Sequence, residues 1–127
     1  MFVNDQYITK AFNINDKTQP FTEQIFNLLK DLETRNTNSL KSLVGKRVGI
    51  IRTGCGKATL VGLVTIADVI KYETEDAFRA DEKRHMVKKG SKYDIKKGGV
   101  KYGYVLVDVE RCDPVIITSK GIVIRNI

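Results

Sequence analysis

Among its 127 residues the sequence has no tryptophan, one histidine, two prolines and two cysteines. Cys55 and Cys112 stand far apart with no CxxC pair, so neither a disulfide framework nor a thiolate zinc site is indicated. Two isolated thiols fit a reducing compartment, and the cytoplasm is the expected location. With His85 as the only imidazole, a histidine metal cluster or a Ser-His-Asp triad with a spare base is hard to build. Neither a metal nor a cofactor is therefore expected, and His85 itself reads as a partly buried residue on a helix face. No apolar run approaches the roughly 18 residues of a membrane span, so no membrane partner is expected. The opening "MFVNDQYITK" lacks the basic start and apolar stretch of a secretory signal. Acidic excess is absent as well: the formal net charge is +7.

That positive excess is unevenly placed. Residues 1–40 carry four basic and five acidic side chains, whereas 41–127 carry eighteen basic and ten acidic. Within 79–103 nine basic residues, Lys88 and Lys89 among them, face only Asp81, Glu82 and Asp94. A cluster of this kind attracts phosphate backbones and releases their counterions on binding. It equally suits a lysine-rich solvated loop. Tyr93, Tyr102 and Tyr104 interleave with it, and flat rings beside cations stack nucleobases, although tyrosines in strands also pack cores.

Periodicity outlines one domain over 20–127, preceded by an arm or edge segment at 1–19. Pro20 suits the start of a helix, and Phe21, Ile25, Leu28 and Leu29 follow at one-face spacing. "TRNTNS" ends that pattern, so the helix is expected to stop near Lys30 to Leu32. "KRVGIIR" (46–52) and "ATLVGLVTIADVI" (58–70) are β-branched runs joined by "TGCGK", which reads as a hairpin. The phosphate-loop pattern fails there, because it requires glycine at 51 and a hydroxyl at 58, where Ile51 and Ala58 stand. "ETEDAFRADEKRHMV" (73–87) is expected to be a helix, "YGYVLVDVE" (102–110) a strand and "PVIITSKGIVIRN" a closing hairpin turning at Ser119–Gly121. One or two helices among five or six strands point to an α+β, mostly β fold, a small antiparallel or mixed β-barrel.

The run "LLKDLETRN" (28–36) holds the candidate site. Lys30 at a helix C-terminus is favoured by the macrodipole and could pair with Glu33. If a strand starts at "LETR", Glu33 and Arg35 point to one face by the period of two. An acceptor carboxylate, a planar donor fork and an ammonium would then converge, a combination suited to a polar, planar ligand such as a nucleobase.

At these residues the sequence resembles the activating-signal-cointegrator homology (ASCH) domain family. "FTEQIFNLLKDLETR" is similar to its opening helix and K-x-x-E-x-R signature, read onto Lys30, Glu33 and Arg35. "GKRVGIIRTG", "LVGLVTIADVI", "YGYVLVDVE" and "PVIITSKGIVI" resemble its later segments in order, with Tyr104 where the family carries tryptophan. The resemblance implies a PUA-like β-barrel, related to a domain of pseudouridine synthases and archaeosine transglycosylases. It also implies a cleft for RNA or a modified nucleoside, lined by Lys30, Glu33 and Arg35; Arg52 and Tyr104, at family positions, and Lys88 and Lys89 of the basic segment are expected as further contacts. Some small bacterial members are amidohydrolases acting on N4-acetylcytidine, with a lysine, a threonine three positions later and a glutamate from the middle segment. Lys30 matches the lysine, Glu33 stands in the threonine position, and Glu75, Asp81 or Glu82 would be the third member. Arg52 replaces a family histidine, and Asn27–Leu29 lacks the usual glycine. Whether the chain is an enzyme, with Lys30 and Glu33 catalytic, or a binding module is left open by the residues.

Overall fold

The computed structural model describes residues 1–127. Two short strands, β1 (Phe2–Val3) and β2 (Gln6–Tyr7), form an N-terminal hairpin, and β3 spans Lys10–Asn15. Helix α1 (Phe21–Phe26) and β4 (Leu32–Arg35) follow, then β5 (Arg47–Thr53) and β6 (Thr59–Tyr72). After helices α2 (Glu75–Ala80) and α3 (Glu82–His85) come β7 (Lys101–Ile116) and β8 (Ile124–Asn126). Six strands build one sheet in the order β4-β7-β6-β5-β3-β8, antiparallel except for the β3–β5 pair. No helix is long and apolar enough to cross a membrane.

The mostly β, α+β class agrees with the sequence reading, but the closed barrel does not. β4 and β8 are the ends of an open sheet and do not pair with each other. The sheet curls far enough that side chains cross the gap where ladder hydrogen bonds would otherwise close it. Arg35 Nη2, on β4, donates to the carbonyl of Asn13 on β3 at 2.6 Å. β4 has only four residues and β8 three, too short for a closing ladder across the curl.

Residues 1–19 are more than an arm. β3 lies between β5 and β8, and its Ala11, Phe12, Asn13 and Ile14 are buried. Phe12 and Ile14 join Ile25, Leu32, Ile50, Val64 and Phe78 in the main core. Sequence patterning understates β3 because "AFNIN" has polar asparagines at alternate positions, and one of them, Asn13, is buried.

Helix α1 is shorter than its apolar stripe suggests. Pro20 sits at the N-cap, and the Asp16 carboxylate accepts from the Thr22 amide at 3.1 Å and from its hydroxyl. Phe21 and Ile25 face the core, but the helix stops at Phe26, and Leu28 and Leu29 are 77% and 57% exposed. Gly62 on β6 admits this helix, since a Cβ there would lie 2.3 Å from the Phe26 ring and 2.3 Å from the Glu110 carbonyl oxygen. The helix expected over 73–87 is broken at Asp81 into α2 and α3; the Thr74 hydroxyl caps α2 by accepting from the Ala77 amide at 3.1 Å. The expected closing hairpin also differs: β8 pairs with β3 rather than with β7.

Candidate ligand-binding cleft

The gap between β4 and β3 is a cleft of about 310 Å³. Its position follows from how the chain leaves α1. Asn27 ends the helix, and Leu28 takes a left-handed conformation with φ of 61°. The amides of Leu29 and Lys30 then both donate to the Gln24 carbonyl, at 2.9 and 3.0 Å. The Asp31 amide reaches the Arg84 carbonyl at 3.0 Å, and the Arg84 side chain returns to the Asp31 carboxylate at 3.0 and 3.3 Å. This clamp against α3 turns Lys30 inward, so it does not serve as a helix-terminal surface cation.

Lys30 is 1% exposed. Its ammonium donates to the His85 carbonyl at 2.6 Å, stands 3.6 Å from Glu33 Oε1 and lies over the Phe21 ring at 4.8 Å. Burial pushes its pKa below the usual lysine value, and the Glu33 charge opposes that shift. Glu33 and Arg35 share one face of β4 as the two-residue period requires: Arg35 Nη2 donates to Glu33 Oε2 at 3.0 Å. Glu33 Oε1 also accepts from the Thr34 amide at 3.2 Å. The Arg35 guanidinium lies 5.9 Å over the Phe12 ring, and its Nε and Nη1 make no hydrogen bond within the protein.

Lys30, Glu33 and Arg35 thus line one cleft, together with Asn13, Phe21 and Tyr93. Phe21 and Tyr93 meet edge to face at a centroid separation of 5.6 Å and form an aromatic flank. Lys101, the first residue of β7, completes the wall and is 3% exposed. In the sequence it is one of the nine basic residues of 79–103, and nothing local marks it as buried. Asn13 was missed because the residues it holds are far away in sequence. Its side-chain amide donates to the carbonyls of Gly121 and Ile122, each at 2.9 Å, and its Oδ1 accepts from Arg125 Nε at 3.0 Å.

The other candidates lie elsewhere. Tyr104 is fully buried in the core, where its hydroxyl accepts from the Leu40 amide at 3.2 Å. It sits directly opposite Glu33 in the β4–β7 ladder, but its ring serves packing. Arg52 is half-buried on β5 outside the cleft, near the Asp16 carboxylate. Lys88 and Lys89 are exposed and do not line the cleft. The basic segment therefore divides. Arg79 is bound by Glu82, Asp94 and the Val87 carbonyl, and Arg84 by Asp31. Lys83, Lys88, Lys89, Lys92, Lys96 and Lys97 face solvent.

None of Glu75, Asp81 and Glu82 lines the cleft. Asp81 accepts from the Tyr72 hydroxyl at 2.5 Å, and Glu82 pairs with Arg79. His85 is fully buried and stacked on Phe78 at 4.0 Å. Its Nδ1 accepts from the Val87 amide at 2.9 Å, so the proton belongs on Nε2, which donates to the Phe78 carbonyl at 2.7 Å. Both ring nitrogens are committed, and no group of three histidine, cysteine or carboxylate side chains is gathered anywhere for a metal.

No family model matches the chain, and no curated protein matches it. Among solved structures it is similar to a single-substitution variant of an ASCH protein from Zymomonas mobilis, with a TM-score of 0.73 at 12% identity over 93% of this chain and 87% of that one. The crystal structure of ASCH from Zymomonas mobilis is similar with a TM-score of 0.69 at 14% identity, covering 85% and 73%. A second single-substitution variant gives 0.69 and 14% over 85% and 75%. At these identities the likeness is one of fold.

Proposed function

From a chain with the ASCH fold, of the PUA-like group, we propose a binding module that holds a base of RNA, or a modified nucleoside, in the cleft around Lys30, Glu33 and Arg35. The observation that carries this reading is the convergence of those three side chains beside the Phe21–Tyr93 flank. Glu33 accepts from the exocyclic or ring N–H of a base, while the Nε and Nη1 donors of Arg35, unused within the protein, engage base carbonyls. The half-buried Tyr93 ring offers stacking area without demanding one base. Exposed Lys92 and Lys96 flank Tyr93 and give phosphates a surface to track toward the cleft.

Hydrolysis of an acylated nucleoside is favoured by one observation, the buried Lys30 with its lowered pKa, which suits a base or nucleophile. Two others weigh against it. Glu33 offers no hydroxyl and is already held by Arg35, and no acid from the middle segment lines the cleft to shuttle a proton. One experiment separates the readings. The binding module predicts affinity for a short single-stranded RNA that falls steeply with salt, and no turnover of N4-acetylcytidine. Turnover abolished by Lys30→Ala would replace it with the hydrolase, and no affinity for RNA or nucleosides would remove both.

A further inference from the structure

Lys101 differs from every other charged group in the cleft. It is 3% exposed, yet its ammonium makes no hydrogen bond to the protein and has no carboxylate within ion-pair distance. Attraction from Glu33 and Asp94 reaches it only across space, and Arg35 and Lys96 repel it. Glu33, the one carboxylate of the lining, is already engaged by Arg35 and Lys30. Three cations therefore face one carboxylate, an excess of two positive charges within about 310 Å³. The stem of Lys101 is buried and only its ammonium end opens into the cleft, so the cleft presents a partly desolvated cation that no protein group pairs and that an anionic ligand would complete.

We infer that Lys101 is the anion anchor of the cleft, so that the ligand is a nucleotide carrying a phosphate rather than a neutral nucleoside. The inference rests on the nucleobase reading above and adds a ligand class to it. The geometry divides the labour: Glu33 takes hydrogen bonds from the base, and Lys101 at the start of β7 pairs with a phosphate oxygen. The cleft volume lies at the lower end of the roughly 300–1,000 Å³ of small-molecule sites, room for a single nucleotide unit. Phosphate serves where a carboxylate of the protein would not. A carboxylate on a neighbouring strand would pair with Lys101 permanently, whereas an incoming phosphate pairs with it only when ligand is bound, a monoester offsetting nearly two positive charges and a phosphodiester one.

The test is calorimetric titration in a phosphate-free buffer of the full chain and of Lys101→Met, with cytidine, cytidine 5′-monophosphate and the dinucleotide cytidylyl-cytidine. The monophosphate should bind at least about tenfold tighter than cytidine, as a charge-assisted contact implies. In Lys101→Met that ratio should fall to within about twofold of unity. If the dinucleotide shares the advantage, the phosphate is that of a nucleic-acid chain; if only the monophosphate does, it is that of a free nucleotide. Equal affinity for cytidine and its monophosphate in the unmodified protein overturns the inference and leaves the nucleobase reading standing. So does a ratio that survives in Lys101→Met. If neither compound binds, the nucleobase reading falls and inorganic phosphate decides the rest. Thermal protection of the unmodified protein but not of Lys101→Met keeps the anion site; equal protection, or none, removes it.

Discussion

Two sets of lysines in this molecule share a residue type and little else. Lys30 and Lys101 are buried beside the gap in the sheet, and both are pushed below the ordinary lysine pKa, first of all by burial. Lys88, Lys89, Lys92, Lys96 and Lys97 stand in solvent on the segment between α3 and β7. The exposed set dominates the charge map of the sequence, but water and salt screen it. The buried set is nearly invisible in that map, yet its charges act at low dielectric, where each hydrogen bond counts for more. Density of charge and burial of charge are thus separate features of this molecule, and only the buried lysines line the cleft.

The largest expected effect breaks or keeps this division. Lys30→Met should weaken binding of a single-stranded RNA or nucleotide by at least about 2 kcal/mol, because it removes a desolvated charge from the cleft. Lys89→Met should cost less than about 1 kcal/mol, as an exposed charge does. Equal losses in a fluorescence anisotropy titration would mean that the cleft is not the place where the ligand is held.

A second test asks what burial costs the unliganded fold. Lys101→Met should raise stability at neutral pH by up to about 1 kcal/mol, since it removes a partly desolvated charge that no protein group pairs and keeps a similar volume. Lys88→Met should stay within about 0.5 kcal/mol of the unmodified protein. The pH dependence has a fixed sign. Lys101 has a folded-state pKa below the unfolded value of 10.5. Between the two values the unfolded chain holds a proton that the folded chain has released, so stability rises with pH across that window. The advantage of Lys101→Met should therefore be largest at neutral pH and shrink as the pH climbs toward 10.5. Urea denaturation at several pH values reads this directly, and an unchanged gap at all pH values would show that Lys101 is not desolvated.

A smaller effect belongs to the exposed set. Lys88→Gln combined with Lys89→Gln should lower the slope of log affinity against log salt by about 1 to 2, with a modest loss of affinity. A slope that does not move would take those lysines out of the path of the nucleic acid.

What could be read in the sequence follows the reach of each interaction. β4 and the shared face of Glu33 and Arg35 follow from the two-residue period of "LETR", and the β5–β6 hairpin from β-branched runs around "TGCGK". Both are local patterns. The break between α2 and α3 at Asp81 was hidden, because that stretch contains no glycine or proline to announce it. The pairing of β8 with β3 joins residues more than a hundred positions apart, and a nearby β7 made a hairpin the natural expectation. The open gap, and with it the roles of Asn13 and Lys101, depends on how far the whole sheet curls. No window of residues encodes that, so Asn13 carries no sequence signal, Lys101 is indistinguishable from the other basic residues of 79–103, and Tyr104, a core ring, looks like a site residue.

The smallest effect concerns how Lys30 comes to face inward at all. The apolar stripe predicts a helix running on through Leu28 and Leu29, which would have left Lys30 at a surface terminus. The left-handed turn at Leu28 prevents this and presents Leu29, Lys30 and Asp31 to the Gln24 and Arg84 carbonyls. A leucine in that conformation costs roughly 1 kcal/mol, and its exposed side chain recovers none of it by packing. Leu28→Gly should therefore stabilise the fold by up to about 1 kcal/mol, offset in part by the greater freedom of glycine in the unfolded chain. Ligand affinity should be unchanged, because the backbone contacts that hold Lys30 stay as they are. Loss of affinity in Leu28→Gly would show that the exposed leucine itself takes part in binding, and the cleft would then extend onto the turn that builds it.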